Sequence, residues 1–125
     1  MGTEKGTITM AYKARLGPGS ISSLGEGGAV VGMVRVSQLA VTLSGSYSTS
    51  GSAVRAHLFT STDNSSWDSD PFYSFDNAIG TPPILKQKTK PVDTSPMFLK
   101  AKLENLAKGV AIINAKAVAT VQRQY

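Results

Sequence analysis

A single antiparallel β-sandwich of about eight strands, jelly-roll or Greek-key-like, is the all-β fold this sequence predicts for residues 1–125 as one domain. Three observations predict it. Apolar and polar residues alternate with a period of two in one segment after another, the pattern of half-buried strands. Clusters of Gly, Pro, Asn, Asp and Ser recur about every 8–12 residues, the spacing of turns in sandwiches and barrels. No helical repeat is long enough to alternate with strands, and no linker separates two cores.

Taken in order, Gly6 to Leu16 places Ile8, Met10, Tyr12, Ala14 and Leu16 on one face and Thr7, Thr9, Lys13 and Arg15 on the other. Gly17 to Gly28 holds five Gly and one Pro and reads as a loop. Ala29 to Val36 is apolar enough for a buried strand, with Gly32 as a bulge. Gln38 to Ser48 alternates again with Leu39, Val41 and Leu43 inward, and Ser48 to Ser52 turns. A hairpin follows from Ser52 to Asp76. Val54, Ala56 and Leu58 share one face, Arg55, His57 and Phe59 the other, and the polar turn leads to Trp67, the only tryptophan. Pro71 belongs at a strand start or edge, because it has no N–H to give a ladder. Asn77 to Pro83 is a loop. Ile84 to Lys90 puts Lys86, Lys88 and Lys90 on one face, which suits an exposed edge because the charge discourages stray pairing. After the turn Pro91 to Pro96, Met97 to Leu106 alternates cleanly, with Leu99, Ala101 and Leu103 one way and Lys100, Lys102 and Glu104 the other. Val110 to Gln122 closes the domain with Ala111, Ile113, Ala115, Ala117, Ala119 and Val121 on one face; its β-branched residues favour a strand over the helix that its alanines also allow.

At 125 residues, 41% hydrophobic and 17% charged, the chain has the size and composition of one domain with a core. It has no Cys, so disulfides, thiol catalysis and thiolate metal sites are excluded. No run of about 18 apolar residues offers a transmembrane helix. The first ten residues lack the apolar core of a signal peptide, so secretion by that route is not expected. The net charge of +5 is unevenly spread. Asp63, Asp68, Asp70 and Asp76 lie in a stretch with no Lys or Arg, whereas Lys86 to Arg123 carries seven Lys and one Arg against Asp93 and Glu104. Such a layout permits self-complementarity, the acidic patch of one copy meeting the basic patch of the next.

No motif spells out a reaction. The Gly-rich loop has no Lys, so it does not complete a phosphate-binding loop. His57 is the only His, sits mid-strand, and no Ser occupies a Gly-x-Ser-x-Gly elbow. The Asp group around Trp67 does not follow the EF-hand order. Asp68 and Asp70 share one turn, which suits solvation better than paired acid–base work across a cleft. The expectation is no enzyme, no catalytic residue, no metal and no cofactor. Trp67 and Tyr73 are the candidates for stacking on a glycan in the alternative reading, a carbohydrate- or cell-surface-binding module; the competing role for Trp67 is a lid on the core.

The segment from Ala53 to Asp76 resembles the strand–turn–strand of small β-sandwich virion proteins of tailed phages, in which a Ser-x-Asp-Gly/Asn-x-x-Trp turn closes a hairpin. Here Ser61, Asp63, Asn64 and Trp67 occupy that pattern, with Asn64 where Gly is usual. The stretch from Val92 to Val121 is similar to the second half of such proteins, with a Pro-containing turn, a strand, an Asn-Leu turn and a closing strand. The resemblance covers about half the chain. It implies a virion structural protein, a capsid decoration, head-completion or tail component made in the host cytoplasm. Its partners would be copies of itself and other virion proteins, with no small-molecule substrate, nucleic acid or membrane. In that role, residues 1–6 and 17–28 are the candidate arms, and Gly17, Pro18, Gly19, Gly25, Gly27, Lys86, Lys88, Lys90, Asp68 and Asp70 the candidate assembly contacts.

Overall fold

The computed structural model describes residues 2–47, 49, 51–78 and 86–124. Eight strands run β1 (Thr3–Leu16), β2 (Val31–Gly32), β3 (Val36–Tyr47), β4 (Ala53–Ser61), β5 (Tyr73–Ala78), β6 (Lys86–Pro91), β7 (Phe98–Asn105) and β8 (Ile112–Gln124). They form two four-stranded antiparallel sheets with the orders β1-β8-β3-β6 and β2-β7-β4-β5. The pairs β1–β8, β2–β7, β3–β6 and β4–β5 describe one long hairpin, with its turn between β4 and β5, wrapped onto itself. That wrapping is the jelly roll. The turn sits inside the Ser52–Asp76 segment that alternation had marked as a hairpin.

Alternation places the core. On β3 Leu39, Val41, Leu43 and Tyr47 are buried; on β4 Val54, Ala56 and Leu58; on β7 Leu99, Ala101 and Leu103. The inner face of β8 carries Ala115, Ala117 and Ala119, all fully buried, in one cluster with the leucines of the opposite sheet. Small side chains on one layer make room for large ones on the other, which is how facing sheets fill the space between them. No buried side-chain nitrogen or oxygen among the described residues lacks a hydrogen-bond partner.

Three elements differ from the alternation reading. On β1 the register against β8 shifts between Thr9 and Ala11, so Met10 and Ala11 are both buried and the strand behind them is turned over. Tyr12, expected inside, is 37% exposed as a result. A bulge adds one residue that no period-two pattern encodes. On β8 Asn114 has φ 53°, and the same break leaves Ile112 buried but Ile113 exposed, the reverse of the expected face. The apolar run Ala29–Val36 contributes only the two residues of β2 before Val36 opens β3, because Met33 to Arg35 turns between the sheets, with Arg35 at φ 64°. Residues 79–85, which hold most of the expected loop and the start of the expected lysine strand, lie outside the described residues.

The expected arms are laced into the fold. Thr3 to Gly6 are the first rungs of β1, paired with Gln124 to Val121. In the Gly-rich loop, Gly19, Ser22 and Gly25 donate backbone N–H bonds to the carbonyls of Ala107, Leu103 and Ala101, along the edge of β7. The loop then crosses to the other sheet, where Ala29 donates to Thr9 and Tyr12 donates to Glu26. Glu26 adds an ion pair to Lys13 and accepts from the Ser23 N–H, which together hold its carboxyl below the ordinary value. One loop thereby covers an edge of each sheet, leaving β5 and β6 as the edges on the other side.

Candidate functional site

Three groups of polar side chains stand on the surface this scaffold creates. The first is the tip of the β4–β5 hairpin. Ser61 Oγ accepts the N–H groups of Asp63 and Asn64, and Asp63 Oδ1 accepts those of Ser65 and Ser66. Asn64 adopts φ 62°, the left-handed geometry that a short amide side chain tolerates and that Gly supplies in the related turn pattern. The Ser66 N–H foremost, with those beside it, lowers the Asp63 carboxyl from its ordinary value. Asp68 is tied to Thr60 through both backbone and side chain, and Asp70 is exposed. Asp63, Asp68 and Asp70 are all exposed at this tip, and the first two also bond within the hairpin.

Trp67 lies outside the core, which corrects its expected place as a lid. It bridges Ser61, and Lys100 Nζ sits 4.9 Å from its ring centroid. Lys100 is opposite Phe59 in register, on the outer face of the sheet, and Lys102 covers Phe59 at 5.1 Å. Tyr73 is opposite Leu58, packs against the core and stacks on Phe75 with centroids 5.8 Å apart. The two proposed glycan stackers are thus on opposite sides of one sheet. They form no common platform.

The second group crosses the outer face of the same sheet. His57 Nδ1 is 2.8 Å from Ser74 Oγ and His57 Nε2 is 2.8 Å from Glu104 Oε1, a row that sequence reasoning missed because its members come from three strands. A carboxylate only accepts, so Nε2 donates, and in the neutral imidazole Nδ1 accepts the Ser74 proton. The order serine, histidine, acid is that of an acyl-transfer relay. Here Ser74 and His57 face each other in register on β5 and β4, while Lys102 is opposite His57 on β7 and Glu104 reaches it diagonally from the position opposite Arg55. The two hollows described below are on the other sheet. What the row does in this geometry is tie three strands together.

One rung along, Arg55 Nε and Nη2 donate to the two Asp76 oxygens at 2.6 and 3.0 Å. The Arg55 hydrogen bonds hold Asp76 below 3.8 and raise Arg55. Because the folded value of Asp76 is depressed, the stability it adds is present above about pH 4 and is lost as pH falls through the folded value. Both side chains are well exposed, at 38% and 42%, so solvent screens the pair. Asp76→Asn should therefore cost under about 1 kcal/mol at pH 7 and close to nothing at pH 2, read from urea unfolding at both values.

The third group is the edge strand β6. Lys86, Lys88 and Lys90 stand opposite Gly45, Leu43 and Val41, so they share the core side of the sheet at its open margin. Asn77 closes the gap to the neighbouring edge, donating from Nδ2 to the carbonyls of Leu43 and Lys86. Among the described residues, no three of His, Asp and Glu come together as a metal site.

At the end of the sandwich where β1 begins and β8 ends, the turn at Met33–Arg35 meets the turn before β7 through the bond from Met33 N–H to Met97 O, 2.9 Å. Beside that bond Val34 is 59% exposed and Met97 46%. Gly17, Pro18 and Gly19 are at the opposite end, while Gly25 and Gly27 lie along the covered edge, so the structure does not gather the expected contacts into one surface. No known family model matches the chain, and no curated protein is significantly similar to it.

Proposed function

We propose that the chain is a non-enzymatic structural subunit of a larger assembly, a virion component of the tailed-phage kind such as a capsid decoration, head or tail protein. It acts through contacts with copies of itself and with neighbouring virion proteins. The observation that carries this reading is the pairing of two exposed apolar residues, Val34 and Met97, on turns locked together by a backbone bond. Apolar side chains held out on rigid turns supply the centre that a specific contact needs. Asp93 lies in the turn before Met97, with its carboxylate accepting from Ser95 N–H, and supplies an acidic rim. The lysines of β6 supply a cationic edge for the neighbouring copy. The turn pattern Ser61, Asp63, Asn64, Trp67, formed with Asn64 left-handed, supports the likeness to hairpins of such proteins.

Sedimentation velocity tests the reading. The chain should form concentration-dependent oligomers, weakened by salt and abolished in the double variant Val34→Asp, Met97→Asp with its circular dichroism unchanged. A monomer at every concentration up to about 1 mM overturns it.

A further inference from the structure

The outer face of the β1-β8-β3-β6 sheet is a broad surface the assembly reading does not use, and it is built in rows. Register sets Tyr12, Lys116, Ser44 and Gln87 side by side across the four strands. The next row is Thr9, Val118, Thr42 and Thr89; then Thr7, Thr120 and Ala40; then Lys5, Gln122 and Gln38. Two hollows of about 550 and 530 Å³ follow each other along these rows and share Thr120. That is the size range of small-ligand sites. The floor is low because Thr42, Val118, Thr120 and Ala40 are short, and Tyr12 forms a wall.

Two independent departures from regular strand geometry make that wall. The bulge at Met10 turns Tyr12 outward, and the left-handed Asn114 brings its amide to the Tyr12 hydroxyl, which donates to Asn114 Oδ1 at 2.9 Å. The ring is thus fixed, and Asn114 keeps its N–H donors for something else. Lys116, in the same row, has no ion pair among the described residues. Lys5 stands at the far end, opposite Gln122, six residues along β8 and about 20 Å away. Asp93, at the rim of the farther hollow, is the only acid among the described residues lining either one.

From this geometry we infer that the trough is a binding site for an acidic oligosaccharide, a chain of pyranose rings bearing carboxylates. The Tyr12 ring takes the apolar face of one sugar. Asn114, Gln87, Ser44 and Thr42 take its hydroxyls, and Lys116 and Lys5 meet carboxylates at the two ends. A second copy is a poor occupant. Two-fold pairing of this face would set lysines against lysines over hydroxyls, with no apolar centre.

The test is a titration of the ¹⁵N-labelled protein with a hyaluronan hexasaccharide, with maltohexaose and polyglutamate as comparison ligands. Shifts should fall on the outer rows of β1, β8, β3 and β6 for the acidic sugar alone, and weaken with salt. Tyr12→Ala and Lys116→Ala should each weaken binding about tenfold, whereas Tyr12→Phe and Trp67→Ala should change it less than about threefold. Amide spectra verify that every variant is folded. No shifts at these rows up to about 10 mM sugar, equal response to maltohexaose or polyglutamate, or shifts caused by self-association overturn the assignment.

Discussion

Replacing Asn105 with alanine should cost about 4 kcal/mol of folding stability. Asn105 is 1% exposed and is the knot of the sandwich end that carries the Gly-rich loop. Its Nδ2 lies 3.2, 3.1 and 2.8 Å from the carbonyls of Leu16, Gly17 and Val110, and its Oδ1 accepts from Tyr47 Oη and from the N–H of Ala107. One amide therefore satisfies the ends of β1, β3 and β7 and the turn into β8. Alanine leaves these groups buried without that partner, and each orphan costs about 1–3 kcal/mol, less than additively because the site relaxes. Asn105→Asp should be worse, since a carboxylate cannot donate to three carbonyls and would be a buried charge. Tyr47→Phe removes one bond of the knot and should cost about 1 kcal/mol. The Tyr47 hydroxyl also donates to Ala53 O, and burial raises its pKa. Urea midpoints at an unchanged slope read all three variants, and a loss under about 1 kcal/mol for Asn105→Ala would mean the knot is not what holds this end.

Asn105 shows what the sequence hides. Alternation put it at the edge of a strand and a turn, and nothing in the local pattern marks a residue whose five partners are drawn from positions 16, 17, 47, 107 and 110. The faces of β7, of β3 from Leu39 to Tyr47 and of β4 from Val54 to Leu58 were legible because each keeps a period of two over that run. The faces of β1 and β8 were only half legible, because the bulge at Met10 and the left-handed Asn114 interrupt the period, and the side chains on the two sides of such a break no longer share one parity: Tyr12 comes out behind Met10, and Ile112 and Ile113 are exchanged ahead of Asn114. Strand order was legible only as a class, since a jelly roll is fixed by pairings more than a hundred residues apart, such as Thr3 with Gln124.

The surfaces follow the same logic. The lysine edge was readable from three lysines at alternate positions, and β6 is indeed the last strand of its sheet. The row Ser74–His57–Glu104 and the row Tyr12–Lys116–Ser44–Gln87 were not readable, because each takes its members from separate strands whose register is a tertiary property. The Gly-rich loop misled for a different reason. Glycine permits mobility, but it also permits close approach, and here the second use governs.

That close approach sets the other large expected effect. Gly28→Ala should lower the stability by about 3 kcal/mol or more and the melting temperature by about 10 °C or more. A Cβ on Gly28 would stand 2.3 Å from the carbonyl carbon and oxygen of Met10 and 2.6 Å from the Ala11 nitrogen, all backbone atoms of the bulge. Neither strand nor loop can retreat, because Ala29 N–H to Thr9 O and Tyr12 N–H to Glu26 O pin them together on either side. The same change elsewhere should act differently. Gly25→Ala meets Lys100 Cδ at 3.2 Å, a flexible side chain that can swing away, and pays mainly for its φ of +71°, about 1–2 kcal/mol. Gly6→Ala meets nothing within 4 Å at a strand position and should be neutral or stabilising by about 0.5 kcal/mol. Thermal melts of the three variants separate backbone contact from backbone strain and from chain entropy. If Gly28→Ala melts like Gly6→Ala, the loop does not rest on the bulge. Tyr12 would then owe its outward position to the strand alone, and the trough beside it would have one support fewer.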